Sequence, residues 1–78
     1  MLTVGHNDPG YLPDAEPVEV KTLDEAIATL MREVEHYFSI EIDAEEMTLA
    51  ELNRLKQSMW NAKRGSNFYF RGHCFWVQ

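Results

Sequence analysis

Two stretches of helical periodicity are set between segments that alternate or break. Leu23, Ala26, Ile27, Leu30, Val34, Tyr37 and Phe38 recur at spacings of three and four, which lays one apolar stripe along a helix. Thr22-Leu23-Asp24-Glu25 opens that stretch as a capping box. The hydroxyl accepts an orphan N–H and Glu25 reaches back. The pattern predicts a first helix over 22–38. Thr48-Leu49-Ala50-Glu51 is a second capping box, and Leu49, Leu52, Leu55 and Met59 form the stripe of its helix, with Trp60 at the margin. Lys63 and Arg64 before Gly65 make a helix stop, so a second helix is expected over 48–64. Between the two, Ser39-Ile40-Glu41-Ile42-Asp43 alternates as a strand would and fits a fraying helix end equally well.

The ends read differently. Leu2-Thr3-Val4, stopped by Gly5, is a brief strand. Residues 6–21 hold all three prolines, and His6-Asn7-Asp8-Pro9-Gly10 is turn chemistry. Proline presets φ and glycine supplies φ > 0. Pro13 and Pro17 keep Leu12 and Glu16 out of the helical region. An ordered loop is expected over 6–21, with room for an extended stretch at Val18-Glu19-Val20. Tyr11 and Leu12 would pin it to the core, since so long a loop needs an anchor. Asn67–Gln78 has strand composition interrupted by Arg71-Gly72-His73. This predicts a hairpin over 67–78, Asn67–Phe70 against Cys74–Val77, with one bent strand as the alternative. The expected fold class is α+β: a single two-layer domain over 1–78, β-α-α-β-β. Two helices pack on a small antiparallel sheet, with the N-terminal strand on one edge.

Composition narrows the class. At 78 residues, 45% of them hydrophobic, the chain is one small folded domain and not a disordered one. One cysteine excludes a disulfide scaffold. No apolar run approaches the ~20 residues of a membrane span. The start lacks a signal-peptide pattern, no lipidation signal is visible, and a lone cysteine suits a reducing compartment. A soluble cytoplasmic protein is expected. The net charge of −6 is unevenly spread. Residues 1–51 carry thirteen acids against Lys21 and Arg32, a charge of −11, while 52–78 carry five cations and no acid. Antiparallel helices would match the two signs internally, Glu33 and Glu35 lying toward Arg54 and Lys56. Such exposed pairs contribute only about 0–1 kcal/mol each.

One segment carries a resemblance. His6-Asn7-Asp8-Pro9-Gly10-Tyr11-Leu12-Pro13-Asp14-Ala15-Glu16-Pro17 resembles the opening of small proteins common in phages of actinobacteria. Those share the pattern HN-x-PGYLP-[DE]-x-[DE]-P, a short spacer, then Thr or Ser starting an acidic amphipathic helix. Many end in an aromatic strand similar to Cys74–Gln78. The resemblance covers the opening third and, loosely, the C-terminus. It implies a virus or prophage accessory protein acting in the bacterial cytoplasm, and it brings no catalytic residues with it.

The chemistry-bearing residues form no enzyme signature. His6, His36, His73 and Cys74 are the softer metal ligands, and only His73 and Cys74 are adjacent. Neighbours in a strand point to opposite faces, so a metal site is not expected. Asp43-Ala44-Glu45-Glu46-Met47 lacks the glycine of a calcium loop. Ser39, Ser58, Ser66 and Cys74 sit in no nucleophile elbow, and the glycines make no phosphate loop. No catalytic activity and no cofactor are expected.

Binding remains. In the expected hairpin, Phe68, Phe70, Cys74 and Trp76 cannot share a face with Tyr69, Phe75 and Val77. Helices cover one face only, leaving an aromatic patch for a protein partner, either a host protein or a second copy. Tyr69, Arg71, His73 and Phe75 are its candidate residues. The alternative class is a nucleic-acid-binding module in which Lys63, Arg64, Tyr69 and Arg71 interleave cations with a stacking ring. A third reading makes the first helix and residues 41–51 an acidic DNA mimic that occupies a host DNA-binding protein. Thr48–Leu52 could open a helix-turn-helix, but no recognition helix follows it.

Overall fold

The computed structural model describes residues 1–13 and 15–78; Asp14, which belongs to the expected loop and to the opening motif, lies outside the described residues. The elements run β1 (Leu2–Asn7), β2 (Val18–Val20), α1 (Leu23–Tyr37), α2 (Ser39–Asp43), α3 (Leu49–Met59), β3 (Asn67–Phe70) and β4 (His73–Val77). The fold is a small α+β domain: a four-stranded antiparallel sheet, ordered β2-β1-β4-β3, with helices packed on it.

Both capping boxes form. Glu25 N–H donates to the Thr22 hydroxyl at 3.1 Å, and Glu51 N–H to the Thr48 hydroxyl at 3.1 Å. The stripe of α1 buries Ala26, Leu30 and Val34, and α3 adds Leu52, Leu55 and Met59. These meet Val4, Phe75 and Val77 from the sheet, with Phe38 and Met47 closing one end. Leu49 and Trp60, expected on the stripe of the second helix, are exposed. That helix is also shorter than expected, ending at Met59. Gly65 does not stop it. Its N–H instead donates to the Val77 carbonyl at 2.7 Å, which starts the return into the sheet.

The ambiguous stretch after α1 is helical. It closes in a Schellman pattern, Glu46 N–H to Glu41 C=O and Glu45 N–H to Ile42 C=O, with Glu45 at φ 59. A glutamate holds the left-handed position that usually belongs to glycine, so the stop carries no sequence signal.

Two strand expectations are corrected. β1 does not end at Gly5 and does not lie on an edge. It runs on to Asn7 between β2 and β4, and its central glycine lies opposite Trp76. The ring covers the gap left by the missing side chain: a Cβ built on Gly5 would lie 2.4 Å from Trp76 Cζ2. In the hairpin the turn has two residues, not three. Arg71 and Gly72, at φ 50 and 78, make the type I′ geometry that fits strand twist. His73 thereby joins β4, paired with Phe70. That shift by one residue decides which aromatics face the helices.

Candidate functional site

Strand alternation divides the sheet into two faces. Phe68, Phe70, His73, Phe75 and Val77 point to the helices with Leu2, Val4 and His6. The opposite face carries Thr3, Gly5, Asn7, Asn67, Tyr69, Cys74 and Trp76, and no helix packs on it. Of the candidate protein-binding residues, Tyr69 is 68% exposed there, whereas Phe75 and His73 are 0% and 1% exposed beneath the helices. Neither of those two can touch a partner on the surface. The expected register had placed Phe75 outside because it counted His73 in the turn.

Arg71 is spoken for as well. Its guanidinium donates to the Glu46 carbonyl at 3.1 Å and to the Glu51 carboxylate at 2.9 Å. Anchoring the hairpin tip to α3 offsets the strain of a non-glycine residue at positive φ, about 1–3 kcal/mol. The Arg71 guanidinium holds the Glu51 carboxyl below its ordinary range, helped by Thr48 and opposed by partial burial. Glu51 therefore favours folding above its unfolded value, and that contribution is lost as pH falls through its lowered one. Arg71→Gln is expected to move the carboxyl titration of Glu51 upward, read by carbon NMR.

The basic residues do not gather into a stripe. Lys63 and Arg64 precede β3, at the far end of the hairpin from Arg71, and Arg64 donates to the Met1 carbonyl at 2.8 Å. Lys56 pairs with Glu35, matching the charges of α1 and α3. Glu33 does not join that pairing; it faces His6 at 3.3 Å.

The largest departure from expectation is the Pro-Gly turn. Tyr11 and Leu12 do not pin it to the core. They are 76% and 88% exposed. The turn is held from its own backbone instead. Tyr11 N–H donates to the Asp8 carbonyl at 3.0 Å across Pro9-Gly10, with Gly10 at φ 88, a type II turn. The Asn7 amide donates to the carbonyls of Asp8 at 3.0 Å and Tyr11 at 2.9 Å, and its oxygen accepts the Trp76 indole N–H at 2.7 Å. Asp8 reaches His73, whose Nδ1 lies 2.6 Å from Oδ1. Pro9 and Gly10 then border an open depression of about 330 Å3 shared with Asn7, Asn67, Tyr69, Cys74, Trp76 and Gln78. The turn and the uncovered face are thus one continuous surface that reaches Tyr69 on the edge strand β3.

Sequence reasoning missed Asn7, Asp8, Trp76 and His6 as parts of this region. One signal was available: strand parity places His6 on the face of Leu2 and Val4, and Asn7 on the other. Among the described residues no cluster of three or more His, Cys, Asp or Glu could hold a metal ion, and no helix is long and apolar enough to cross a membrane. No protein-family model, curated protein or solved structure matches this chain.

Proposed function

We propose that the chain is a protein-binding module, an accessory protein of the phage or prophage type, that grips a host protein through the Asp8–Pro13 turn and the adjoining sheet face. One observation carries this reading. Tyr11 and Leu12 are large, apolar and exposed, yet they stand on a turn braced by Asn7, Asp8 and Trp76. A loop that served only to close the fold would bury its apolar residues. A braced loop that exposes them is already ordered for contact, which lowers the entropic cost of association. Tyr69 and the half-buried Trp76 beside it supply rigid aromatic area, and Asn7, Asn67 and Gln78 supply a polar rim. Nothing in this arrangement calls for catalysis.

The test is capture from an actinobacterial host lysate on the immobilised chain, followed by affinity measurement with the purified partner. Tyr11→Ser with Leu12→Ser is expected to weaken binding about 30-fold or more, since burying Leu12 alone contributes about 1.5–3 kcal/mol. Trp60→Ser, on the far side of the domain, should leave affinity unchanged. Both variants should keep the wild-type melting curve. Equal binding by wild type and the double variant would defeat the proposal. Sedimentation at micromolar concentration is expected to show a monomer. A dimer abolished by the double serine change would make a second copy the partner.

A further inference from the structure

The two edges of the sheet are built differently. β2, on one edge, has three residues, follows Pro17, carries Glu19 and leads into Lys21. Proline and charge are what keep an edge strand from pairing with another chain. β3, on the other edge, has four residues, Asn67-Phe68-Tyr69-Phe70, with no proline and no charged side chain among them.

The register with β4 decides which backbone groups of β3 are open. Phe70 and His73 flank the two-residue turn, so they exchange both their hydrogen bonds, and the next such pair is Phe68 with Phe75. Val77 N–H donates to the Ser66 carbonyl at 3.0 Å, which keeps the same parity at the other end. Asn67 and Tyr69 therefore turn their N–H and C=O groups away from β4, toward the open edge. Among the described residues no hydrogen bond reaches those groups from elsewhere. Each of the two residues presents one donor and one acceptor, at the spacing an added strand uses.

A groove lies alongside. An open space of about 410 Å3 between α3 and β3 is lined by Leu55, Phe70, Ser58, Arg54 and Glu51. Side chains of an added strand would alternate between the two faces of the sheet. Every second one would enter this groove, and the others would lie beside the Tyr69 ring. Glu51 is already held by Arg71. Arg54 is exposed and, among the described residues, its guanidinium has no ion-pair or hydrogen-bond partner; the same is true of the Lys63 ammonium just ahead of β3.

We propose that β3 accepts an extended, acidic segment of a partner protein as a fifth strand of the sheet, with apolar side chains in the α3–β3 groove and a carboxylate on Arg54. In recognition by strand addition, main-chain bonds supply affinity and alternate side chains supply specificity. Charge selects this occupant over a second copy. Residues 52–78 carry five cations and no acid, so pairing β3 with itself would bring two cationic edges together. The site makes no use of the Asp8–Pro13 turn, so it goes beyond the grip proposed above and does not depend on it.

The test pans a displayed library of random linear peptides on the immobilised chain. Enriched sequences are expected to place apolar residues at alternate positions and to carry Asp or Glu. With one such peptide bound, NMR should show the Asn67 and Tyr69 amide hydrogens newly protected from solvent exchange. Tyr69→Pro removes an outward N–H that no bond within the sheet uses, a change that edge strands tolerate, and should abolish binding. Tyr69→Ala keeps that N–H and should bind within about threefold of the wild type. Arg54→Glu, at an exposed helix position, should weaken binding about tenfold. Tyr11→Ser with Leu12→Ser should leave peptide affinity unchanged; weakening there would place the peptide on the turn and overturn the proposal. Enrichment of no binder, or of sequences rich in Lys and Arg, would overturn it. So would Asn67 and Tyr69 amides that exchange as before, or equal losses in Tyr69→Ala and Tyr69→Pro. Should Tyr69→Pro fail to fold, amide protection and Arg54→Glu decide the matter.

Discussion

Replacing Phe75 by alanine is expected to cost about 3–5 kcal/mol, the range for deleting a buried aromatic ring. A domain of this size has on the order of 4–12 kcal/mol in all, so this one change removes about a quarter or more of it. The size of the effect follows from position. Phe75 is fully buried on the central strand β4, and its ring meets those of Phe38, Tyr37, His6 and His73. Nothing nearby can fill the space, because each of those rings is held by another partner. The measurement is urea unfolding, with a lowered midpoint and a slope close to that of the wild type. Tyr69→Ala is the contrast. Tyr69 pairs with Cys74, the residue before Phe75, but its ring stands on the open face, so its loss should shift stability by no more than about 0.5 kcal/mol. Equal effects at the two positions would mean that the hairpin register is wrong.

Gly5→Val is the second large expected effect, and it acts by crowding. The first added atom already falls 2.4 Å from the Trp76 ring, and valine adds two methyl groups to it. The indole cannot simply swing aside. Its N–H is bound to Asn7 Oδ1, and that same Asn7 amide holds the Asp8–Tyr11 turn. Relief of the clash therefore breaks a partly buried hydrogen bond, about 1 kcal/mol, on top of an overpacking cost of about 1–3 kcal/mol. The melting temperature should fall by about 10–20 °C. A second change, Trp76→Leu, should recover part of the loss caused by Gly5→Val, because it removes the ring that clashes. If Gly5→Val melts like the wild type, the ring does not rest on the strand. The same pair of variants should loosen the Tyr11–Leu12 turn, so partner affinity and stability are expected to fall together here. In the double serine variant of the turn they separate.

The helical half of this fold was legible because its signals are local. Thr22 with Glu25 and Thr48 with Glu51 mark two helix starts within four residues each, and both caps form as read. The hairpin was legible as a hairpin but not in its register. Asn-Gly would announce a two-residue turn, while Arg71-Gly72 does not. Arg71 tolerates positive φ here because Glu51 and the Glu46 carbonyl, twenty and twenty-five positions away, hold its guanidinium. No local pattern encodes that. The same holds for the proposed binding surface. Tyr11 and Leu12 read as anchors because apolar residues in a loop normally need cover. Their support comes instead from Asn7 and Trp76, which only the β1–β4 pairing brings together. The His6–His73 hydrogen bond was invisible for the same reason: the two stand 67 positions apart.

That pairing also sets a timetable. Of the described elements β1 leaves the ribosome before the others and β4 after them, and the two are neighbours at the middle of the sheet. At about 5–20 residues per second, the nascent chain spends seconds with one side of β1 open and the core still lacking Phe75 and Val77. β2 and α1 can gather early, but they have no aromatic floor to close upon. Closing this sheet must therefore wait for β4. Non-local pairing makes that step slower than it would be for a helical chain of equal length. Until it happens, Tyr11 and Leu12 stand on a turn that lacks its Trp76 brace, so the proposed binding surface is assembled only once β4 has docked.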